Sequence, residues 1–267
     1  MNKLLLSLLV FSFSSFAFTS EFCGRRQPDI KSLLMNESSR ISFKNTGGFL
    51  NKGVCWWHNR FQRSSAYLLK FNPEGTRPDK TQVRRILQSL MLMNRVVEVS
   101  GYSDLETFSR DYKSEIQSVL NQWQKIDGII NFQWLRGISG RSELGMHQMQ
   151  ERMDDVFKHY RSSPVPVWVM AQIKGITSHS FLILNMEKRM NGYDLDVIDS
   201  NKPMETIRIE YYHGDKNLRP PGVRYTFVPY VGFQNDFRKI SKALKQHCPQ
   251  KENDFDFQVE DGEVERY

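Results

Sequence analysis

The spacing of apolar residues changes from a helical to a strand period along this chain. Apolar side chains recur every three or four positions between residues 53 and 160, and beyond 164 they form short β-branched or aromatic runs split by Gly, Asn and Pro. The predicted helices cover 55–70, 79–92, 104–125, 142–160 and 235–247. The predicted strands cover 95–99, 165–171, 178–185, 193–199, 207–212 and 223–230. Helices first and antiparallel strands second predict an α+β domain of two packed layers.

Local signals refine the helical half. Ser103 or Asp104 is expected to cap the 104–125 helix, and Asp127-Gly128 to end it. Residues 18–51 have weak periodicity and are rich in Ser, Asn and Gly, so they are expected to wrap irregularly over the core with one helical turn near 31–35. The methionines of the 142–160 helix are expected to fill the core.

The first residues have the pattern of a secretory signal peptide. Lys3 precedes an apolar run over 4–18, and Ser15-Phe16-Ala17 supplies a small-x-small cleavage motif, with Ser20 as an alternative cleavage point. The run is too short to favour a membrane anchor. We therefore predict cleavage after Ala17, export to the periplasm or the medium, and no stable insertion in a membrane.

These boundaries predict a signal peptide at 1–17, a single domain at 18–250 and an acidic, disordered tail at 251–267. Within the domain, 18–163 is expected to be mainly helical and 164–233 mainly β-sheet. The chain has a formal charge of +7, although the tail is acidic. Because its basic residues form no block and do not interleave with aromatic ones, they predict a solvated surface and no nucleic-acid partner. The pattern does not indicate an oligomeric state.

Three cysteines follow the predicted signal peptide, and an exported chain meets an oxidising compartment in which thiols tend to pair. Cys23 opens the mature chain and Cys248 closes the domain, and chain termini often lie close together. We expect a Cys23–Cys248 disulfide, which leaves Cys55 as the odd thiol. Pairing of Cys55 with either of the other two stays open as an alternative.

Cys55 lies in Gly53-Val54-Cys55-Trp56, at the first turn of a predicted helix. A helix N-terminus carries a partial positive charge and unsatisfied N–H groups, so it favours a thiolate. A thiolate here would be a nucleophile, which needs a base and a group that orients that base. Without such partners, a structural cysteine is the simpler interpretation.

The base is expected on the 178–185 strand, which contains His179, and its orienting group at the end of the next strand, at Asp199. If Asn185 faces Tyr193 across the hairpin, apolar residues pair with apolar residues and His179 faces Asp199 on one face of the sheet. Asn201 shares this parity and could orient the imidazole instead, through its side-chain amide.

This combination resembles the papain-like cysteine peptidases. Gly53-Val54-Cys55-Trp56 at a helix start is followed far downstream by His179 on a strand, and then by Asp199 at the end of the next strand. The order of parts, helices before an antiparallel sheet, is also similar. The resemblance covers two short windows of the chain. It implies a papain-like α+β fold in which Cys55 is the nucleophile, His179 the general base and acid, and Asp199 the orienting group of an acyl-transfer reaction.

Two positions depart from that family's pattern. The family's oxyanion-hole glutamine corresponds to Phe49, and its cysteine three residues before the nucleophile corresponds to Lys52. Asn51 is the nearest side-chain amide that could donate to the oxyanion, together with the backbone N–H of Cys55. Trp56 is expected in the aromatic core, where it could also shield the thiolate–imidazolium pair from water.

The residues and the resemblance together predict an exported cysteine-dependent amide hydrolase, most simply a thiol protease acting on peptide or protein, with cell-wall peptide as a second substrate class. No cofactor is implied, and no metal, because Cys55-x-x-His58 has no second ligand pair at zinc spacing. Two alternatives stay open. One is a transglutaminase-like or cell-wall amidase reaction with the same triad, and the other is a catalytically inactive papain-like binding protein of the cell envelope.

Overall fold

The computed structural model describes residues 22–25, 27–48, 53–131, 143–162, 166–173, 178–221, 226–231 and 235–249. The predicted signal peptide at 1–17, the predicted tail at 251–267 and the predicted oxyanion donor Asn51 lie outside these described residues, as do Phe49 and Lys52.

The described residues form helices followed by a sheet and a last helix. The helices are α1 (Gln27–Met35), α2 (Cys55–Leu68), α3 (Lys80–Leu92), α4 (Leu105–Asp111), α5 (Lys113–Asn131), α6 (Met146–Ser162) and α7 (Asn235–His247), and a 3-10 turn at Glu37–Ser39 follows α1. The strands are β1 (Leu69–Asn72), β2 (Val97–Ser100), β3 (Val167–Gln172), β4 (Ser178–Arg189), β5 (Gly192–Asp199), β6 (Thr206–Tyr212) and β7 (Val228–Val231). The predicted mixed α+β class is confirmed.

Side-chain caps define the starts of two helices. The Asp79 carboxylate accepts from the N–H groups of Thr81 and Gln82 at 2.7 and 2.8 Å, and the Gln82 side chain accepts from the Asp79 N–H at 2.8 Å. This capping box explains why α3 begins directly after Asp79. Asp104 accepts from the N–H of Thr107 at 2.8 Å, so the cap predicted there is confirmed.

The single helix predicted over 104–125 is two helices. Tyr112 separates α4 from α5, with non-helical dihedrals of φ −111° and ψ 30°. Its hydroxyl donates to the Pro78 carbonyl and its ring packs on Phe108, so tertiary contacts interrupt the helical period. The predicted end at Asp127-Gly128 is also wrong, because α5 continues to Asn131. One glycine inside a helix costs only about 1 kcal/mol, which a packed helix tolerates.

A short parallel pair, β1 and β2, lies outside the main sheet. Leu69 pairs with Val97 and Asn72 with Ser100. The helix predicted over 55–70 is therefore too long, because Leu69 leaves α2 to pair with β2 while its side chain stays in the core. Periodicity could not reveal this, since Leu69 is buried in either conformation.

The main sheet has the order β6-β5-β4-β3-β7, and each neighbouring pair is antiparallel. The predicted antiparallel arrangement of the second half is thus confirmed for these strands. The strand predicted over 223–230 is shorter than expected, because β7 begins at Val228 and is preceded by an isolated bridge between Leu218 and Phe227.

Both faces of the main sheet are covered, so the prediction of two packed layers is wrong. Leu182, Leu184 and Ile198 belong to the core formed with α2 and its neighbouring helices. The alternate residues of the same strands belong to a second core with Met149 and Met153 of α6. Strand β4 is apolar at consecutive positions, which is typical of a strand buried on both faces. The expectation that the methionines fill the core is confirmed for these two.

The register between β4 and β5 differs from the predicted one. Phe181 pairs with Asp199, and a bulge between Ile183 and Asn185 shifts the pairing before the hairpin turn. The prediction paired Asn185 with Tyr193, whereas the strands continue to Arg189 and Gly192 and Asn185 pairs with Asp196. The predicted register is therefore shifted by two residues at Asp199, where it placed His179 in the position that Phe181 occupies. The two residues are instead diagonal neighbours on one face, a separation that long side chains can still bridge.

A disulfide joins Cys23 to Cys248, whose Cα atoms lie 5.7 Å apart, so this predicted pairing is confirmed. It ties the segment before α1 to the end of α7 across a sequence separation of 225 residues. Cys55 therefore remains outside the bridge as a thiol. Within the described ranges, no helix is both long and apolar enough to cross a membrane.

Candidate active site

Cys55 is the first residue of α2, and a tight loop sets its position. Gly53 has a φ of 92°, and its N–H donates to the Gly47 carbonyl at 2.8 Å. The next N–H, that of Val54, donates to the Asn45 side chain. A Cβ on Gly53 would lie 2.4 Å from the Asn45 amide nitrogen, so this turn requires glycine. Asn45 thereby satisfies the backbone N–H of the N-cap residue Val54, whose own side chain makes no capping hydrogen bond.

His179 and Asp199 meet at one end of the sheet, because β4 begins beside His179 and β5 ends at Asp199. The Nε2 atom of His179 lies 2.7 Å from Oδ1 of Asp199. A carboxylate only accepts hydrogen bonds, so Nε2 carries a proton. Cys55 also hydrogen-bonds this imidazole, and with Nε2 occupied the nitrogen left for the sulfur is Nδ1. The three residues therefore form a continuous chain from thiol to imidazole to carboxylate.

The turn after β5 holds the Asp199 carboxylate in place. The backbone N–H of Asn201 donates to the same Oδ1 at 2.8 Å. The Asn201 side chain accepts from the Asn45 side chain at 3.3 Å, so it faces the loop before α2 and not the imidazole. Asn45 also donates its N–H to the Ser200 carbonyl at 2.7 Å. Of the two orienting groups considered from the sequence, Asp199 is the one that contacts His179.

Aromatic rings enclose the imidazole on the face of the second core. The Phe181 ring meets it edge-on with centroids 4.9 Å apart, and the Phe227 ring lies at 5.8 Å. His179 is 8% exposed and Asp199 is 3% exposed, whereas Cys55 is partly exposed. Cys55 is therefore partly open to solvent, while its two partners are shielded.

The charge on His179 reflects two opposing effects. Burial lowers the pKa of His179, because a charged imidazole loses its hydration. The hydrogen bonds to Asp199 and Cys55, together with the negative charge of both groups, outweigh burial and raise this pKa to about 10. The imidazole is thus held as an imidazolium at neutral pH.

A second set of contacts joins α2 to β4 directly beside the dyad. The Ser180 hydroxyl donates to the Cys55 carbonyl at 2.8 Å. The Asn59 amide donates to the Ser180 carbonyl at 2.7 Å and to its hydroxyl at 2.9 Å. Sequence reasoning missed both residues. The available signal was that Asn59 lies one helical turn after Cys55, and Ser180 next to His179.

His58 is a second buried histidine next to this site. Its Nε2 lies 2.9 Å from the Phe43 carbonyl, so Nε2 is the protonated nitrogen. Its Nδ1 is buried and has no hydrogen-bond partner among the described residues. Burial lowers the pKa of His58 to about 4, an effect that the Phe43 carbonyl and the Asp199 charge oppose and the His179 charge reinforces. His58 is therefore neutral and does not face outward as a metal ligand.

Of the remaining predicted residues, Trp56 is buried in the aromatic core at 5% exposure, as expected. Across the described part of the chain, no three His, Cys, Asp or Glu side chains are grouped so that they could hold a metal ion.

No protein-family model matches this chain, and no significant match is found among curated proteins or solved structures. The function is therefore inferred from the residues around Cys55 and from their geometry.

Proposed function

We propose that this protein is an exported cysteine-dependent amide hydrolase of the papain-like kind, with peptide or protein as its substrate. The observation that carries the proposal is the hydrogen-bonded chain in which Asp199 holds Nε2 of a buried, charged His179 whose other side meets Cys55. A purely structural cysteine needs neither a charged base nor a carboxylate behind that base.

In the proposed reaction, the Cys55 thiolate attacks the carbonyl carbon of an amide and forms a tetrahedral oxyanion. The oxyanion collapses when the protonated Nδ1 of His179 gives its proton to the leaving amine, which leaves a thioester on Cys55. Neutral His179 then takes a proton from water, and the resulting hydroxide attacks the thioester. The carboxylic acid leaves and the thiolate–imidazolium pair is restored. Asp199 keeps Nε2 protonated and the ring oriented throughout.

The start of α2 supports the same chemistry. The substrate carbonyl oxygen, which becomes negatively charged when Cys55 attacks, would lie near the first turn of α2, where backbone N–H groups and the positive end of the helix dipole favour an anion. This first turn contains no acidic side chain that would oppose an anion. The Cys55 N–H is accordingly the proposed oxyanion donor.

Two features support export. The Cys23–Cys248 disulfide is of a kind that persists in oxidising compartments, and the sequence at 1–17 has a signal-peptide pattern. Under the proposal, the mature protein begins at Phe18. N-terminal sequencing of the secreted or periplasmic protein tests this boundary.

Iodoacetamide alkylation between pH 5 and pH 9 tests the proposed dyad. A thiol of ordinary acidity is less than about 1% ionised at pH 6, so it reacts slowly there. We expect rapid alkylation of Cys55 at pH 6 in the wild type, and a loss of about a hundredfold in His179→Ala. His147→Ala, which removes an exposed histidine, is the matched control and should leave the rate unchanged. Slow alkylation at pH 6 in the wild type would refute the dyad.

A peptide-library digest read by mass spectrometry then tests hydrolysis, with Cys55→Ala as the control. Cleavage by the wild type that is lost in Cys55→Ala supports the hydrolase, and the cleaved bonds define its specificity. If a reactive Cys55 gives no cleavage, hydrolysis of peptides is the wrong reaction.

A further inference from the structure

We propose that Ser180 and Asn59 are positioning residues that fix the distance between the Cys55 sulfur and the His179 imidazole. This inference rests on the proposed function, because it concerns the same dyad. Ser180 and Asn59 are neither nucleophile, base nor orienting group in the proposed reaction.

The position of Cys55 needs support from outside its own helix. Cys55 opens α2, and the N–H groups of a helix's first turn have no helical carbonyl partner, so this turn makes fewer helical hydrogen bonds than later ones. The preceding residue, Val54, makes no side-chain cap. The thiol therefore lies at the part of α2 that is held least firmly by helical hydrogen bonds.

Ser180 supplies this support from the strand that carries the base. Side chains alternate along a strand. The His179 ring contacts Phe181 and Phe227, which belong to the second core, whereas the hydroxyl of Ser180 contacts α2. The hydroxyl donates to the backbone carbonyl of the nucleophile itself at 2.8 Å. Two consecutive residues of β4 thus supply the imidazole, on His179, and the hydrogen bond that holds Cys55, on Ser180.

Asn59 makes this connection rigid. Its amide nitrogen contacts both the carbonyl and the hydroxyl of Ser180, at 2.7 and 2.9 Å. Asn59 and Ser180 are each 0% exposed, so water cannot replace these bonds. Three hydrogen bonds therefore join the first turn and a half of α2 to the start of β4, and a relative shift of thiol and imidazole would break them.

The ratio of the alkylation rate at pH 6 to that at pH 9 tests the proposal in Ser180→Ala. At pH 9 a cysteine is largely ionised without help, whereas at pH 6 its ionisation depends on the imidazolium. We expect the pH 6 rate to fall about tenfold, as for other sub-ångström misplacements of reacting groups, with little change at pH 9. A general loss of structure would alter both rates.

Ser65→Ala is the matched control. Ser65 is a buried serine like Ser180 but lies on α2, and its hydroxyl donates to the Phe61 carbonyl at 2.8 Å, within the helix and away from the dyad. Its loss should leave the rate ratio at the wild-type value. An equal ratio in Ser180→Ala and the wild type would overturn the positioning role while leaving the dyad intact.

Two further outcomes are decisive. If the wild type reacts slowly at pH 6, the proposed function and this inference both fail. If Ser180→Ala does not fold by circular dichroism, Asn59→Ala decides the question, because it keeps the Ser180–Cys55 bond but removes its brace. We then expect a fall of about threefold at pH 6, the size of one hydrogen bond, and an unchanged ratio overturns the inference.

Discussion

Two neighbouring buried histidines hold opposite charge states in this protein. His58 on α2 is 0% exposed and His179 on β4 is 8% exposed, and the charge of His179 contributes to the lowered pKa of His58. His58 donates to a backbone carbonyl and has a pKa of about 4, whereas His179 contacts Asp199 and Cys55 and has a pKa of about 10. Burial opposes the charged ring in both cases, so the partners decide which histidine is charged.

The two histidines also have opposite effects on stability as the pH changes. A raised pKa stabilises the folded state fully below the ordinary value of 6.5, and this contribution of His179 is lost as the pH rises through about 10. A lowered pKa acts the other way. His58 destabilises the folded state as the pH falls from 6.5 through about 4, because the unfolded chain then binds a proton that the folded chain does not.

Asp199→Ala should have the largest effect, because it should remove the difference in charge between His179 and His58. Without the carboxylate, the pKa of His179 should fall towards 6.5, since burial remains while the main opposing group is gone. Under the proposed function, peptide hydrolysis should also fall about a thousandfold, because the imidazole that would act as base loses its orienting group. NMR titration of the imidazole protons and a turnover assay measure the two effects.

Asp196→Ala is the control for that experiment. Asp196 lies on the same strand as Asp199, and its carboxylate forms an ion pair with Arg208 at 3.8 Å. It should leave the His179 titration where it is. An unchanged His179 titration in Asp199→Ala would show that the carboxylate does not determine the charge of this ring.

Asp236→Ala should destabilise the protein without affecting either histidine's titration. Asp236 at the start of α7 pairs with Arg60 at 2.6 Å and with Arg63 at 2.7 Å, and Arg63 is 3% exposed. Its removal takes away the carboxylate that both guanidinium groups contact, and breaking a buried ion pair in this way costs about 3 kcal/mol. Urea unfolding measures this loss. A pH 6 alkylation rate that falls with it would show that the far half of α2 also controls the dyad.

His58→Gln should remove part of the acid sensitivity. With a pKa near 4 in the folded protein and 6.5 in the unfolded chain, His58 should cost about 2 kcal/mol of stability between pH 7 and pH 4.5. We expect urea unfolding at these two pH values to show a smaller loss in the variant than in the wild type. Equal losses would mean that His58 is not the neutral partner of the pair.

Gly53→Ala should have the smallest effect, about 1 kcal/mol of stability, because φ of 92° is strained for alanine and the new Cβ would meet Asn45. Gly214→Ala is the control, with φ of 103° and open space around the site. Thermal unfolding compares the two. If the contact with Asn45 helps to place Cys55, the alkylation rate of Cys55 at pH 6 should fall in Gly53→Ala but not in Gly214→Ala. Equal alkylation rates in the two variants would show that this contact does not place Cys55.

The comparison of the two histidines also shows how far sequence patterns reach. His179 could be identified because the alternation of side chains places it on the same sheet face as Asp199. This shared face was predicted correctly even though the register between the two strands was wrong. The bulge between Ile183 and Asn185 was not predictable, since it depends on packing between β4 and β5. For His58 the sequence offered only a Cys-x-x-His spacing, which is misleading because no metal site follows from it. Its actual hydrogen-bond partner, the Phe43 carbonyl, lies in a segment without periodicity and could not be identified from the sequence.

The same limits apply to the fold. Period and capping residues predicted α3 and α7 closely, because the signals for these helices are local. The break at Tyr112 and the strand β1 depend on contacts with residues far along the chain, and so they were missed. The second core was missed because α6 and the sheet meet only after the chain has folded.

The sequence by itself determined most element types and the residue types with nucleophilic and basic chemistry, and it favoured the Cys23–Cys248 pairing, because periodicity, cysteine count and spacing are properties of the linear chain. Only the tertiary structure decided that Asp199 and not the Asn201 side chain contacts His179, that Ser180 and Asn59 tie α2 to β4, and that one buried histidine is charged and the other neutral. These outcomes depend on distances of a few ångströms between residues separated by as many as 125 positions, which no local pattern encodes.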